Sequence, residues 1–156
     1  MSDLVDALDD SILVEYRRFG IIMDTDVENT PNPFPGGPIS REVVSVQQNR
    51  IDIRSAANYH VAAVRFEFWR LRPHGEIGKD WEDLGEKRLR LSSGELQLWS
   101  VTMGPSPNLY AVGNPGTYMV RVVARGRDSA RQSWESGAPG GVPHSTEQYV
   151  FSFWRA

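Results

Sequence analysis

Apolar and polar positions alternate with a period of two along much of this chain, the pattern of strands that bury one face. His60 to Leu71 is the clearest long stretch. Val64, Phe66 and Phe68 form one face and Arg65 and Glu67 the other, with Trp69 and Leu71 falling on the charged side, which is therefore expected to be partly covered. Gly116 to Arg125 sets Tyr118, Val120, Val122 and Ala124 against Met119, Arg121, Val123 and Arg125. Tyr149 to Trp154 sets Tyr149, Phe151 and Phe153 against Val150, Ser152 and Trp154. A further strand is predicted over Ile12 to Met23. Its apolar set is first Ile12, Val14 and Tyr16 and then Phe19, Ile21 and Met23. A one-residue slip exchanges the two faces, so a bulge is expected near Arg17, Arg18 or Gly20.

Shorter pieces complete the set. Val43 to Val46 and Arg50 to Ala56 predict a hairpin through Gln47, Gln48 and Asn49, with Ile51 and Ile53 on one face. Glu95 to Met103 and Leu109 to Val112 read as strands between turns. Trp81 to Leu91 resists assignment, because only Arg88-Leu89-Arg90-Leu91 alternates. Residues 1–10 suit a short amphipathic helical turn carrying Leu4, Val5 and Leu8, or a frayed terminus. Residues 126–148 are polar and rich in Gly and Pro and read as a loop. Pro31, Pro33, Pro35 and Pro38 lack amide donors and keep their segment out of a sheet interior. No helix longer than one or two turns is expected. The resulting fold is an all-β, single-domain sandwich over residues 1–156, with about eight mainly antiparallel strands.

Composition narrows the function classes. The chain has 156 residues, the size of one domain. It has no cysteine, which removes disulfides, thiolate metal centres and cysteine nucleophiles and suits a cytoplasmic protein. The first ten residues hold four acids and no base, so no secretory leader is expected there. The longest uncharged run, Leu96 to Val120, is interrupted by Gly104, Pro105, Pro107, Gly113, Pro115 and Gly116, so no membrane span is expected. Net charge is −3 and uneven: residues 1–49 carry nine acids against three bases. An acidic first third suits a basic partner through its field, the plainer alternative being a solvated tail and loop.

Candidate chemistry is thin. His60, His74 and His144 are the three histidines, and without a Gly-x-Ser-x-Gly elbow they read as surface residues in loops. Asp24, Asp26 and Glu28 are spaced two apart and could face a cation in an extended chain, yet the glycine and glutamate of a calcium loop are missing. Asp80, Glu82, Asp83 and Glu86 could pair as acid and base, but Lys79, Lys87, Arg88 and Arg90 balance them locally. Gly36-Gly37 and Gly140-Gly141 lack the lysine of a phosphate loop. Phe66, Phe68, Trp69 and Arg70, with Phe153, Trp154 and Arg155, could stack bases, but the negative total disfavours nucleic acid. No catalytic residue, metal site or cofactor is expected, and the chain leans away from being an enzyme.

Two stretches carry a resemblance. The first is the opening strand Ile12-Leu-Val-Glu-Tyr-Arg-Arg-Phe19. The second is the ending, with Pro115-Gly-Thr-Tyr-Met-Val-Arg-Val-Val-Ala124, a polar loop and Glu147-Gln-Tyr-Val-Phe-Ser-Phe-Trp154. Together they resemble the small bacterial competence-J, nuclease-inhibitor-like proteins. The resemblance carries over no functional residue, and it implies a protein that binds and restrains another protein. The leading expectation is thus a non-enzymatic protein-binding module of inhibitor or immunity type. Its expected contacts are Asp24, Asp26, Glu28 and Phe34, the last an apolar side chain between Pro33 and Pro35. The alternative is a sugar- or lipid-binding or enzymatic sandwich, its inter-sheet pocket lined by Trp69, Trp81, Trp99 and Trp134. Either a monomer or a homodimer fits.

Overall fold

Two stacked sheets account for the period-two pattern. A computed structural model of the protein describes residues 3–22 and 42–156. In chain order its elements are β1 (Leu4–Val14), β2 (Arg18–Ile22), β3 (Val44–Gln47), β4 (Arg50–Arg54), β5 (His60–Trp69), β6 (Glu82–Leu91), β7 (Glu95–Ser100), β8 (Gly104–Pro105), β9 (Tyr110–Ala111), β10 (Gly116–Arg125), α1 (Arg127–Glu135) and β11 (Gln148–Arg155). One sheet runs β1-β5-β11-β10-β6. The other runs β3-β4-β2-β7-β8, with β9 also pairing β7. All pairings are antiparallel except β11 with β5. The all-β sandwich expected from the sequence is the fold observed.

The faces predicted from alternation are the faces buried. Val64 and Phe66 of β5, Tyr118, Val120, Val122 and Ala124 of β10, and Tyr149, Phe151 and Phe153 of β11 are all buried in one cluster with Ile51 and Ile53 of β4 and Leu96 and Leu98 of β7. The aromatic rings interlock across the layers. Phe19 of β2 meets Tyr149 edge-on at 5.3 Å, and Phe66 stacks on Tyr110 at 5.0 Å. Such pairs add stabilisation beyond the area they bury. The hairpin of β3 and β4 forms as expected, Gln47 pairing Arg50 around Gln48 and Asn49.

Four expectations are corrected. The N-terminal segment is neither a helical turn nor frayed: β1 pairs along β5 from Leu4 opposite Trp69 to Val14 opposite His60. Asp6 and Asp10 each turn a carboxylate onto the next amide, Ala7 and Ser11, occupying donors of an edge strand. The phase slip after Val14 is not a bulge. Tyr16 (φ 55°) and Arg17 (φ 58°) form a two-residue left-handed turn closed by the Arg18 amide on the Glu15 carbonyl, and the chain there passes from one sheet to the other. Trp81 to Leu91 is a strand almost throughout. Its pattern is broken at Gly85 (φ 97°), where the register with β10 jumps between Arg121–Glu86 and Val123–Asp83. Within 126–148 the chain forms α1, seated by Ala130 against Ala57 and Val142. Among the described residues there are eleven strands, two of them only two residues long.

Candidate functional site

Three segments far apart in sequence converge where β4 ends, β5 begins and β11 begins. The chain leaves β4 at Ser55, whose amide bonds to the Arg17 carbonyl of the β1–β2 turn at 2.8 Å. Glu147 enters from the loop before β11. Its Oε1 accepts the Ser55 hydroxyl at 2.7 Å and its Oε2 the Ala56 amide at 2.9 Å. His60 Nε2 lies 2.9 Å from the Ser55 oxygen and 3.9 Å from Glu147. Ser55, His60 and Glu147 are all buried. A buried carboxylate must be hydrogen-bonded or paired, and Arg127 on the first turn of α1 supplies the countercharge at 3.9 Å. Arg127 itself is held by the Tyr149 hydroxyl at 2.7 Å and the Arg54 carbonyl at 2.9 Å. The helix can start so close because residue 126 is glycine. Its φ is 77°, and a Cβ there would lie 1.8 Å from the Thr146 carbonyl oxygen.

The expectation that all three histidines lie on the surface is therefore corrected for His60, while His74 and His144 are exposed. Burial pushes the His60 imidazole below its ordinary value, the Glu147 charge opposing. Burial, reinforced by Glu147, pushes the Tyr149 phenol well up. Serine, histidine and carboxylate thus come together, but in the wrong order for hydrolysis. In a working triad histidine stands between the other two and takes the serine proton. Here serine is the middle member and its proton goes to Glu147. The hydroxyl is closed from solvent and already spent on a structural bond, so the assembly braces the fold.

What this junction supports is an exposed end of the sandwich. The Arg17 amide bonds to Asn58 Oδ1 at 3.3 Å, which ties the β1–β2 turn to the loop carrying Tyr59. The Arg17 guanidinium lies 4.9 Å from the centre of the Trp134 ring on α1. On the other side of the turn, Glu15 accepts the Ser100 hydroxyl at 2.9 Å and the Thr102 amide at 3.1 Å, together with the Thr102 hydroxyl, fixing the turn that carries Met103. Those bonds, that of the Thr102 hydroxyl foremost, hold the Glu15 carboxyl below the usual carboxylate range. Tyr16, Tyr59, Met103 and Trp134 consequently gather at one end, with exposures of 64, 70, 72 and 38 %.

Asp24, Asp26, Glu28 and Phe34 lie outside the described residues. The described acids of the first third are partly occupied internally: Asp9 pairs with Arg65 at 3.2 Å, and Asp10 also accepts the Ser106 hydroxyl at 2.9 Å. Glu86 pairs with Arg72 at 2.7 Å and Lys87 with Glu42 at 3.8 Å, so their partners come from other segments, not from the local charge run. The four tryptophans do not share one lining. Trp81 stacks on Arg125 at 4.6 Å beside a 370 Å³ cleft that Arg65 and Val150 also line, Trp69 bonds to Glu67 on β5, Trp99 lies on β7 and Trp134 on α1. A second cleft of 410 Å³ is lined by Arg72, His74, Asp83, Glu86 and Arg121. Among the described residues, no group of His, Asp and Glu is placed to hold a metal ion, and no helix is long and apolar enough to cross a membrane.

No protein-family model and no curated protein sequence matches the chain. Two solved structures share its fold. ComJ from Bacillus subtilis, described as an inhibitor of the DNA-degrading activity of NucA, aligns with a TM-score of 0.63 at 11 % identity, over 100 % of this chain and 99 % of its own. The protein of crocagin biosynthetic gene J aligns with a TM-score of 0.56 at 14 % identity, over 96 % of this chain and 97 % of its own. The resemblance carried by the first strand and the C-terminal third therefore extends, as fold, over the whole chain.

Proposed function

We propose that this chain is a non-enzymatic, bacterial, cytoplasmic inhibitor or immunity protein that binds a protein partner, a DNA-degrading enzyme being the first class to test. The observation that carries the reading is the whole-length match in fold to a protein described as inhibiting such an activity. The chemistry of the chain agrees with it. The serine–histidine–carboxylate assembly is sealed, which suits a protein that acts by surface contact. Enzymes that cleave nucleic acid must attract a phosphate backbone and are basic around their sites. A balance of −6 over residues 1–49 is of the matching sign. Asp24, Asp26 and Glu28 supply the charge in the proposed contact, and Phe34 supplies an apolar anchor of the kind that dominates binding energy.

The test is capture from the host with the tagged full chain at low and high salt, alongside the DNA-degrading activity of the same extract. A basic protein recovered in stoichiometric amount is expected, together with lowered DNase activity. D24N/D26N/E28Q should weaken capture most at low salt, where screening is least. Recovery of no protein at any salt, with DNase activity unchanged by excess chain, overturns the proposal.

A further inference from the structure

We propose that the end of the sandwich carrying Tyr16, Tyr59, Met103 and Trp134 is a self-association face on which a second copy of this chain docks, Arg17 of each copy pairing with Glu135 of the other. This inference stands apart from the inhibitor reading, because it concerns a different surface and a different partner.

Tyr16, Arg17 and Tyr59 all adopt left-handed conformations, with φ of 55°, 58° and 50°. A two-residue turn of this kind is built at least strain by Asn-Gly or Asp-Gly. Two exposed aromatic side chains and a half-buried arginine instead occupy positions where the fold favours Asn or Gly. Strain kept at exposed positions points to a use for the side chains. Their types are those that dominate interfaces, Tyr, Trp and Arg, with Met beside them.

Charge selects the occupant. Arg17 is stacked on Trp134 and forms no ion pair with a described residue. A carboxylate is therefore wanted from outside. The exposed Glu135 adjoins Trp134 on α1 and pairs with no described cation. A two-fold contact places the same patch on both copies and requires it to carry both signs, as Arg17 and Glu135 do here. A basic protein would meet Arg17 as a like charge, so this end does not suit the partner proposed above.

Area sets the strength. Taking about 200 Å² for a large side chain, the four exposed groups offer on the order of 500 Å² per copy, hence about 1,000 Å² in all, the lower bound of a specific interface. The dimer is accordingly weak, with a dissociation constant in the micromolar range or above.

Sedimentation equilibrium of the full chain from about 1 to 500 µM, a range that spans micromolar constants, tests the inference. The average mass should rise from 17.6 kDa toward about twice that value. Y16N/R17G installs residues suited to the turn. It should melt at the same temperature or a few degrees higher, yet stay at monomer mass. R17E alone should abolish association and R17E/E135R restore it, a pair of variants that does not depend on refolding of the turn. Three results would each overturn the inference: a wild type that stays at monomer mass throughout, a Y16N/R17G variant that associates as well as wild type, or an R17E/E135R chain no better than R17E.

Discussion

Glu147→Gln is the sharpest probe of the buried junction, because it removes a charge and leaves the shape. The carboxylate accepts two donors, the Ser55 hydroxyl at 2.7 Å and the Ala56 amide at 2.9 Å. A glutamine offers one acceptor oxygen and one NH₂ group. Whichever way the amide lies, one donor keeps a weaker, neutral bond and the other faces an N–H. Losing a charge-assisted bond costs about 1.5–3 kcal/mol, and leaving a buried donor unsatisfied about 1–3 kcal/mol. Arg127 also loses its countercharge at 3.9 Å, though it keeps the Tyr149 hydroxyl and the Arg54 carbonyl. Against these losses, a neutral side chain escapes the desolvation of a buried carboxylate, which is several kcal/mol per ion. Breaking one side of a buried pair nevertheless has a net cost of about 3–5 kcal/mol, and about 3 kcal/mol is expected here. Urea unfolding followed by tryptophan fluorescence reads it directly. With a slope near 2 kcal/mol per M, the midpoint should fall by about 1.5 M at unchanged slope, and the melting temperature by roughly 6–12 °C. A loss below about 1 kcal/mol would refute the view of Glu147 as the hub of this junction.

Other consequences follow from the same geometry. Burial holds the folded His60 ring below its ordinary 6.5, so below that pH the unfolded chain takes up a proton that the folded chain refuses. Stability should be full above pH 6.5 and fall as pH drops, by up to about 1.4 kcal/mol per unit. His60→Gln should flatten that slope, as pH-dependent urea titrations will show; equal slopes in wild type and H60Q would contradict the assignment. Gly126→Ala places a Cβ 1.8 Å from a backbone oxygen and should cost more than about 3 kcal/mol, whereas Gly85→Ala meets open space and should cost only about 1 kcal/mol of left-handed strain. Thermal melts of the two variants decide the order. Phe66→Ala removes the ring that stacks on Tyr110 and packs on Phe151 and Phe153, and should destabilise by about 3–5 kcal/mol in the same assay.

The strands that could be read from sequence are those whose faces differ in polarity and whose register runs unbroken. β5, β10 and β11 meet both conditions, and their inward faces were legible residue by residue. β6 fails the second. The bulge at Gly85 sets Leu84 and Leu89 five residues apart on the same side of the sheet, so a strict two-residue period finds only the stretch after it. β1 fails the first. Its register puts Asp10 on the same side as Leu8 and Ile12, opposite Val64, and the aspartate is tolerated there because Ser106 reaches it across the sheet edge. Leu4, Val5 and Leu8 then suggest a helical face to any reading that cannot see that partner. α1 hides for the opposite reason. Of its nine residues only Ala130 is buried, so no apolar stripe marks it.

The junction was beyond sequence reasoning for a different cause, which also explains what kind of site it is. Ser55 and Glu147 are 92 positions apart and meet only because β11 lies alongside β5 in parallel, which brings the residue before β11 to the start of β5. A catalytic serine announces itself by a local turn that exposes it, whereas a structural one is known only by its distant partners. The Tyr16–Arg17 turn sits between these cases. Its phase slip was visible, yet the choice between bulge and reversal depended on whether the next strand stays in the same sheet. Asn-Gly would have made the reversal plain. The sequence places Tyr-Arg there, so the residues that obscured the turn are the ones least required by the fold, and local rules fail here because the side chains answer to contact with another surface.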